Sequence, residues 1–268
     1  MDYEIAVPSY KRADVLKART LQTLGRMVDL EKRLTVFVAD KEEEQIYRDT
    51  IGDKFKIVVG VKGIIHQRRF LSSYFPKDTK LLCADDDLYD LELLAPSGKL
   101  QPFNGSLDDV VEHGFTVCRN FGAKHWGIAA FENAFYMRPY TSVGLRYICG
   151  IFHGCFAGDS VMCGDDRLLV SSNEDFETTV RSFMKYGSVV RLDWLCPKTK
   201  YFAAGGIRAE IGGDAAMRKA DHAIAVDDCA RRYKGLCTAY TKATGDRNIR
   251  LKTLPHQKVG PPPHLLNP

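Results

Sequence analysis

Short apolar segments alternate with amphipathic segments along the first ninety residues. The apolar segments are rich in branched residues, which is typical of buried strands, and the segments between them carry apolar residues at helical spacing. The pattern predicts four strands, over residues 3–7, 34–39, 56–60 and 80–84. It also predicts three intervening helices, over residues 13–27, 41–51 and 63–75.

This alternation indicates the α/β fold class, with a Rossmann-like sheet that has helices on both faces. In such sheets ligands bind beyond the carboxyl ends of the strands. The residues that follow the four predicted strands are Pro8-Ser9-Tyr10, Asp40, Gly60 and the run Asp85-Asp86-Asp87. The sequence therefore predicts a ligand site at this edge of the sheet.

The pattern is less regular in the second half of the chain. It predicts helices over residues 107–121, 173–186 and 215–233 and strands over residues 126–131, 134–140, 147–156 and 188–195. The glycine-rich segment 203–213 is expected to be a loop, of a kind that suits a mobile flap, and residues 260–264 to be extended or disordered. We find no internal repeat and no linker, so we predict a single domain over residues 1–268.

The composition narrows the class of protein. Of 268 residues, 45% are hydrophobic, which is enough for a sizeable core and excludes a disordered chain. No apolar run approaches the length of a membrane span, and the first residues lack the features of a signal peptide, so a cytoplasmic protein is expected. The eight cysteines show no C-x-x-C spacing, so we interpret them as small buried residues in a reducing compartment.

The charge is unevenly distributed. Residues 198–268 contain 13 Lys and Arg against six Asp and Glu, a net charge of +7, whereas the first 197 residues carry a net charge of −3. A basic C-terminal third favours a polyanionic partner. An ordinary solvated surface of mixed charge explains the same excess equally well.

The run Asp85-Asp86-Asp87 directly follows a predicted buried strand. Adjacent carboxylates repel one another unless a cation or hydrogen bonds offset the repulsion. In an extended segment Asp85 and Asp87 would face the same side, and hard oxygen ligands of this kind suit Mg²⁺ or Mn²⁺. The alternative is a loop of solvated acids or a helix cap.

Taken in order, these motifs resemble the GT-A glycosyltransferases, which bind nucleotide sugars through an Asp-x-Asp metal motif. The matching segments are Ile5 to Arg12, Asp40, Gly63 to Arg69, Asp85 to Asp87 and Asn173-Glu174-Asp175. The resemblance implies a single GT-A domain with a mixed sheet, in which residues 1–95 bind the nucleotide sugar and residues 96–268 bind the acceptor.

The resemblance also implies a role for each matching residue. Asp85 and Asp87 are the expected ligands of Mn²⁺ or Mg²⁺, and Asp175 is the expected base, with Glu174 beside it. The expected donor-binding residues are Pro8, Ser9, Tyr10, Arg12, Asp40, Gln67, Arg68 and Asp86. The donor would be a UDP-sugar such as UDP-glucose, and a base at Asp175 would invert the configuration of the sugar.

Within this superfamily, Val-Pro-Ser-Tyr-Lys-Arg followed by a helix that contains Arg-Thr-Leu is most similar to the TET/JBP-associated group. This group includes the base J glucosyltransferase, phage relatives and GREB1-like domains. The similarity implies DNA with hydroxymethylated pyrimidines as the partner and, for a phage protein, the host cytoplasm as the location.

Three other functions remain open at the level of sequence. A nucleotidyltransferase would share the α/β half, but it usually carries a glycine-rich basic loop where Pro8-Ser9-Tyr10-Lys11 stands. A glycosyltransferase with a protein or glycan acceptor would share the donor motifs. A non-catalytic nucleic-acid-binding domain on the same fold would have no need of clustered carboxylates. The sequence identifies neither the sugar nor the oligomeric state.

Overall fold

The computed structural model describes residues 2–162, 173–199 and 215–266. The glycine-rich segment 203–213 and one of the eight cysteines, Cys163, lie outside these residues. None of the described helices is both long and apolar enough to cross a membrane.

The first part of the chain forms the predicted alternation of strands and helices. In chain order, the elements are β1 (Glu4–Pro8), α1 (Ala13–Ala18), α2 (Thr20–Gly25), β2 (Leu34–Val38), α3 (Lys41–Ile51), β3 (Lys56–Val59), α4 (Ile64–Tyr74) and β4 (Lys80–Ala84). One predicted helix, over residues 13–27, is divided in two, because the backbone of Arg19 leaves the helical region at φ −122° and ψ −84°.

The remaining elements are more varied. They are β5 (Leu88–Leu94), β6 (Leu100–Pro102), α5 (Leu107–Phe121), β7 (His125–Ile128), β8 (Thr141–Gly144), β9 (Phe152–Phe156), α6 (Glu174–Tyr186), β10 (Val189–Leu192), β11 (Leu195–Thr199), α7 (Ala215–Arg232), β12 (Cys237–Thr241), β13 (Arg247–Leu251), β14 (Gln257–Val259) and α8 (Pro263–Leu266).

Two predictions for this part were wrong. Residues 134–140 contain a 3₁₀ turn, Ala134–Tyr136, instead of a strand. Phe135 is 76% exposed, so this apolar segment does not belong to the core. The C-terminal segment 260–264, predicted to be extended or disordered, leads into the short helix α8, and Leu265 of this helix is buried in the main core.

A nine-stranded mixed sheet forms the centre of the molecule, in the order β14-β8-β10-β7-β9-β4-β1-β2-β3. The four strands β4, β1, β2 and β3 are parallel, and β7 and β10 form a second parallel pair. The antiparallel strand β9 lies between the two parallel parts and pairs with both β4 and β7. Strands β5, β6 and β11 form a small separate sheet, and β12 and β13 form a hairpin.

Alternate side chains of the parallel strands enter two different cores. Ile5 and Val7 of β1 pack in the main core with residues of α1 to α3 and α5. Ala6 points to the opposite face and packs in a second core with Leu71 and Phe75 at the end of α4. Helices therefore cover both faces of the sheet, as the alternating pattern predicted.

Candidate active site

The run Asp85 to Asp87 forms a tight turn between β4 and β5 at the carboxyl end of the parallel strands. The Thr20 hydroxyl donates a hydrogen bond to the Asp85 carbonyl (2.8 Å) and accepts one from the Leu88 amide (3.1 Å). Thr20 is the first residue of α2, directly after the interruption of the helix at Arg19. Its two hydrogen bonds hold the backbone of the turn in place. The prediction of an extended segment was therefore wrong, because Asp86 and Asp87 form a turn.

Asp86 ties the turn to the loop that follows β1. Its carboxylate, which is 5% exposed, accepts hydrogen bonds from the Ser9 hydroxyl (2.6 Å) and from Nη1 of Arg12 (3.1 Å). The same Nη1 lies 3.2 Å from Oδ2 of Asp87. Burial raises the pKa of Asp86 to about 6, while Ser9 and Arg12 act in the opposite direction. Of the three carboxylates, Asp86 is thus the one most enclosed by protein.

Helix α3 holds the loop after β1 in place. The Tyr47 hydroxyl lies 2.6 Å from Oγ of Ser9 and accepts a hydrogen bond from the Arg12 amide (3.1 Å). The Lys11 amide donates to Glu43 (2.8 Å), and the backbone of Lys11 has a left-handed φ of 54°. A non-glycine residue in that conformation needs surrounding contacts to hold it, and Glu43 and Tyr47 supply them.

Arg68 of α4 connects the two halves of the site. Its Nη2 lies 3.0 Å from Oδ1 of Asp85, its Nε lies 3.6 Å from Oε1 of Glu174, and Nη1 donates to the Gly150 carbonyl (3.3 Å). Burial works against the charge of Arg68, but attraction by Asp85, Glu174 and Asp175 outweighs it, and the pKa is raised. A Cβ atom on Gly150 would lie 2.6 Å from Nη1 of Arg68, so only glycine leaves room for this guanidinium.

Asp175 lies in the first turn of α6. Its Oδ2 accepts hydrogen bonds from the Tyr147 hydroxyl (2.5 Å) and the Gly150 amide (3.2 Å), and its Oδ1 accepts one from the Phe176 amide (2.7 Å). Three donors therefore hold the carboxylate in one orientation. Asn173 stands at the predicted cap position, but it has a left-handed φ of 88° and makes no side-chain cap hydrogen bond.

Burial and mutual repulsion disfavour the full ionisation of these acids. Burial, together with Asp87, Asp86 and Glu174, raises the pKa of Asp85 to about 7 against the attraction of Arg68. Burial and the neighbouring Asp175 likewise raise the pKa of Glu174. Asp85 and Glu174 therefore favour an additional cation near them.

The residues fit Mn²⁺ or Mg²⁺. Hydrogen bonds between described residues engage Oδ1 of Asp85 and Oδ2 of Asp87 with arginine, and within the described chain they leave the second oxygen of each carboxylate for a cation. Hard carboxylate oxygens are the ligands that these two ions prefer.

Two of the expected donor-binding residues, Gln67 and Asp40, form hydrogen bonds with backbone atoms of the protein. The Gln67 side chain is 5% exposed, donates to the Val38 carbonyl (3.0 Å) and accepts from the Val61 amide (2.8 Å), so it stabilises the loop before α4. Asp40 caps α3 by accepting a hydrogen bond from the Glu43 amide (2.9 Å). Their contact with a donor remains a prediction.

Tyr10 and Pro8 lie in and before the loop that follows β1. The ring of Tyr10 is half-buried, with Nζ of Lys11 at 5.3 Å and Nζ of Lys62 at 5.8 Å from its centroid. Pro8 ends β1 and lines a cavity that Arg68, Asp85, Glu174 and Asp175 line as well. The structure thus brings Asp85, from the turn at residues 85–87 (the Asp turn), and the start of α6 to one cavity, although they lie far apart in sequence.

Several residues that hold the loops of this site in place were not predicted from the sequence. Thr20, Tyr47 and Tyr147 each donate or accept a hydrogen bond at one of its loops. They come from α2, α3 and the loop before β9, and no motif marks them. Only the pairing of distant elements reveals their roles.

No protein-family model and no curated protein matches this sequence. Solved structures do share the fold. The mannosyltransferase PcManGT from Pyrobaculum calidifontis, in complex with GDP-Man and Mn²⁺, has a TM-score of 0.52 at 11% identity, over 86% of this chain and 64% of that chain. This chain therefore spans less than two thirds of the length of that enzyme.

Two further structures extend the comparison. Residues 1–349 of TarS from S. aureus, in complex with UDP-GlcNAc, give a TM-score of 0.50 at 13% identity, over 88% of this chain and 75% of that one. Glucosyl-3-phosphoglycerate synthase from Mycobacterium tuberculosis, in complex with Mn²⁺, UDP-Glc and phosphoglyceric acid, gives 0.50 at 12% identity, over 97% and 89%. At these identities the likeness establishes the fold, which is α/β and GT-A-like.

Proposed function

We propose that this chain is a metal-dependent glycosyltransferase that moves a sugar from a nucleotide sugar to an acceptor hydroxyl. The observation that carries the proposal is the cavity where the Asp85 turn meets Glu174 and Asp175, with Arg68 paired to acids of both elements. Three proteins with the same fold bind GDP-Man, UDP-GlcNAc and UDP-Glc, two of them with Mn²⁺, which supports this class of donor.

The donor would lie over the carboxyl ends of β1 and β4. Asp85 and Asp87 would hold the Mn²⁺ or Mg²⁺ ion, whose charge would stabilise the diphosphate leaving group. Arg12, which contacts Asp86 and Asp87, places a second cation at this position, and Tyr10 offers a ring for the base of a UDP-sugar such as UDP-glucose. Ser9 and Asp86 fix the loop that carries Arg12 and Tyr10.

Asp175 would act as the base. A bond forms between the acceptor oxygen and the anomeric carbon, the bond from that carbon to the phosphate oxygen breaks, and the nucleoside diphosphate leaves with the electron pair. The acceptor proton passes to Asp175. Each carboxylate oxygen has two lone-pair directions, so among the described residues the three donors on Asp175 leave one on Oδ1 for this proton. A single displacement inverts the configuration, and Glu174 would orient the acceptor.

For the acceptor we propose a hydroxymethylated pyrimidine in DNA, as in a phage protein that acts in the host cytoplasm. The basic C-terminal third supports a polyanion, and the β12–β13 hairpin carries part of this charge. Arg250 is exposed and lies over the ring of Tyr240 (5.6 Å), and Lys242 and Lys252 are exposed nearby in sequence. Cations interleaved with an aromatic ring suit a nucleic-acid backbone, and a base in a duplex would be flipped out to react.

The same proposal assigns donor binding and acceptor binding to different parts of the single domain. Residues 1–95 carry the donor loops and the Asp turn, and residues 96–268 carry Asp175 and the acceptor surface. Asp40 and Gln67 would then act indirectly, because their hydrogen bonds shape the loops after β2 and β3. Pro8 would contribute to the wall of the cavity.

The test is the release of nucleoside diphosphate. Purified protein with Mn²⁺ is incubated with a panel of nucleotide sugars, with and without DNA that contains 5-hydroxymethylcytosine or 5-hydroxymethyluracil. We expect release from one donor, stimulated by the modified DNA and abolished in Asp87→Asn. Release that ignores DNA would move the acceptor to a protein or glycan. No release, together with no donor binding by calorimetry, would contradict the transferase and favour a non-catalytic nucleic-acid-binding domain.

A further inference from the structure

Three buried side chains with soft or borderline ligand atoms lie together just before the Asp turn. Cys83 of β4 and His153 of β9 are direct partners in the antiparallel register, and Cys155 follows two residues later on the same face of β9. Their ligand atoms all lie within 4.8 Å of one another. The three residues are 8%, 7% and 2% exposed, so water covers little of this group.

The histidines of this region contain polar atoms that lack partners. Nδ1 of His153 is buried and has no hydrogen bond among the described residues, and the same is true of Nε2 of His125. His125 faces Cys155 in the register of β7 and β9, and its ring centroid lies 5.2 Å from that of His153. Buried polar atoms without partners are rare in folded proteins, and each calls for a ligand or an ordered water.

We propose that Cys83, His153 and Cys155 bind one Zn²⁺ ion. Two thiolates and an imidazole are a common zinc ligand set, and the ion would give the buried histidine a bond that the protein does not. Zn–S bonds of about 2.3 Å and Zn–N bonds of about 2.0 Å place tetrahedral ligand atoms a little under 4 Å apart, so the three side chains need to close by at most about 1 Å. Binding releases the thiol protons, and no redox change is involved.

This site differs from the carboxylate site in both chemistry and position. The carboxylates of Asp85 and Asp87 offer hard oxygen, whereas the proposed zinc site offers sulfur and nitrogen. Cys83, His153 and Cys155 line one cavity, to which the carboxylate site contributes Asp85. Three protein ligands leave a fourth coordination position on the cavity side, open to water or another small ligand.

The zinc ion would also connect two strands at a critical point. It would join β4 to β9 two residues before Asp85, where the sheet changes from parallel to antiparallel pairing. Nη1 of Arg68 lies 3.5 Å from Nε2 of His153, so the zinc ligand contacts the arginine that holds Asp85. The ion would thus fix the base of the Asp turn independently of any sugar transfer.

The first experiment is metal analysis of the full chain, purified without chelator, by inductively coupled plasma mass spectrometry. We expect one zinc per chain. Replacement by Co²⁺ should give the thiolate charge-transfer absorption and the intense visible bands of a tetrahedral site. Wild-type protein that contains no zinc, and that shows no cobalt–thiolate absorption after titration, would overturn the proposal without recourse to any variant.

Variants assign the ligands. Cys83→Ala, Cys155→Ala and His153→Ala should each reduce the zinc content at least about tenfold, in line with the loss of a metal ligand. Cys118→Ala is the matched control, because Cys118 is equally buried but lies in α5 within the main core. Asp87→Asn should keep its zinc. Zinc retained in both cysteine variants, or lost in Asp87→Asn, would contradict the assignment and leave the proposed transferase untouched.

Discussion

The two acidic elements of the candidate site are built in different ways. The Asp85 turn is fixed by side chains of two helices and one loop, with Thr20 at its backbone and Ser9 and Arg12 at its carboxylates. Asp175 begins a helix that follows a left-handed asparagine, and it is held by the Tyr147 hydroxyl and two backbone amides. The turn therefore lies on the rigid parallel sheet, and the start of α6 is attached to the loop before β9.

This difference corresponds to two chemical tasks. A metal and diphosphate site needs several ligands at fixed positions, which a turn at the end of a buried strand supplies. A base needs one carboxylate in a fixed orientation, and at the start of α6 the Tyr147 hydroxyl and two backbone amides fix the orientation of Asp175. Arg68 is the point where the two meet, because it pairs with Asp85 on one side and Glu174 on the other.

The largest expected effect comes from the Asp turn. Asp87→Asn removes a charged ligand and should lower kcat/KM for sugar transfer by about 10³-fold or more, since the metal supplies several kcal/mol of stabilisation to the leaving group. Mn²⁺ affinity, measured by calorimetry, should fall in parallel. Asp90→Asn is the control, because Asp90 lies three residues further along, in β5, and forms an ion pair with the exposed Arg26. Equal loss in both variants would indicate damage to the fold of β5.

A change at Asp175 should affect the reaction without affecting the donor. Asp175→Asn keeps the shape of the side chain but removes the proton acceptor, so kcat should fall by about 10² to 10⁴-fold while the KM for the nucleotide sugar stays the same. Glu174→Gln, one residue earlier, should have a smaller effect on kcat. If Glu174→Gln is the more damaging of the two, Glu174 is the base and Asp175 its neighbour.

The Asp turn should also give the metal-free protein a characteristic pH dependence. The pKa of Asp85 rises from its ordinary value of 3.8 to about 7 on folding, so between these values the folded state binds more protons than the unfolded state. The free energy of unfolding should therefore fall as pH rises from about 4 to 7, by an amount on the order of 4 kcal/mol.

Urea titrations of wild type and Asp85→Asn across this pH range measure the effect. The variant should lose the Asp85 part of the slope, and saturating Mn²⁺ should reduce it in the wild type, because a cation favours the ionised carboxylate. A slope that is identical in wild type and variant would show that Asp85 does not titrate in this range.

The link between the two elements can be tested at Gly150. A Cβ atom there would lie 2.6 and 2.7 Å from the two Nη atoms of Arg68, so Gly150→Ala should displace the guanidinium from Asp85 and Glu174. We expect a loss of about 1 to 3 kcal/mol in the free energy of unfolding, as is usual for overpacking. Gly260→Ala is the matched control, since among the described residues, its two chain neighbours apart, no atom lies within 4 Å of the added methyl group.

The difference between local patterns and pairing of distant elements explains which parts of the structure could be predicted from the sequence. The strands β1 to β4 and the helices between them follow from local periodicity, and the place of Asp85 to Asp87 at the end of a buried strand follows from the sequence as well, although their turn conformation does not. The pairing of Arg68 with Glu174 and the meeting of Cys83 with His153 depend on β9, an antiparallel strand inserted between β4 and β7. No local pattern specifies that insertion, so neither contact was predicted.

Strands on the exposed side of the molecule were missed for a related reason. The hairpin β12–β13 buries Cys237 and Ile249 against α7 and turns Thr238 and Arg250 outward, so its apolar signal is weak. Strand β14 is exposed over most of its length, and within the described parts of the chain it pairs with β8 alone. Such strands form because a neighbouring element offers hydrogen bonds, which the sequence of the strand itself does not show.

The smallest expected effect concerns this hairpin, which is remote in sequence from both acidic elements. In the double variant Lys242→Ala and Lys252→Ala, two exposed charges are removed from a surface that contains neither Asp85 nor Asp175. If this surface binds the DNA acceptor, the dependence of log K on log salt concentration should become shallower by a little under 2, because each phosphate contact contributes about 0.9. Fluorescence anisotropy with a labelled duplex measures this slope. Nucleotide-sugar hydrolysis without DNA should stay at the wild-type rate, and an unchanged salt slope would place the acceptor surface elsewhere on the molecule.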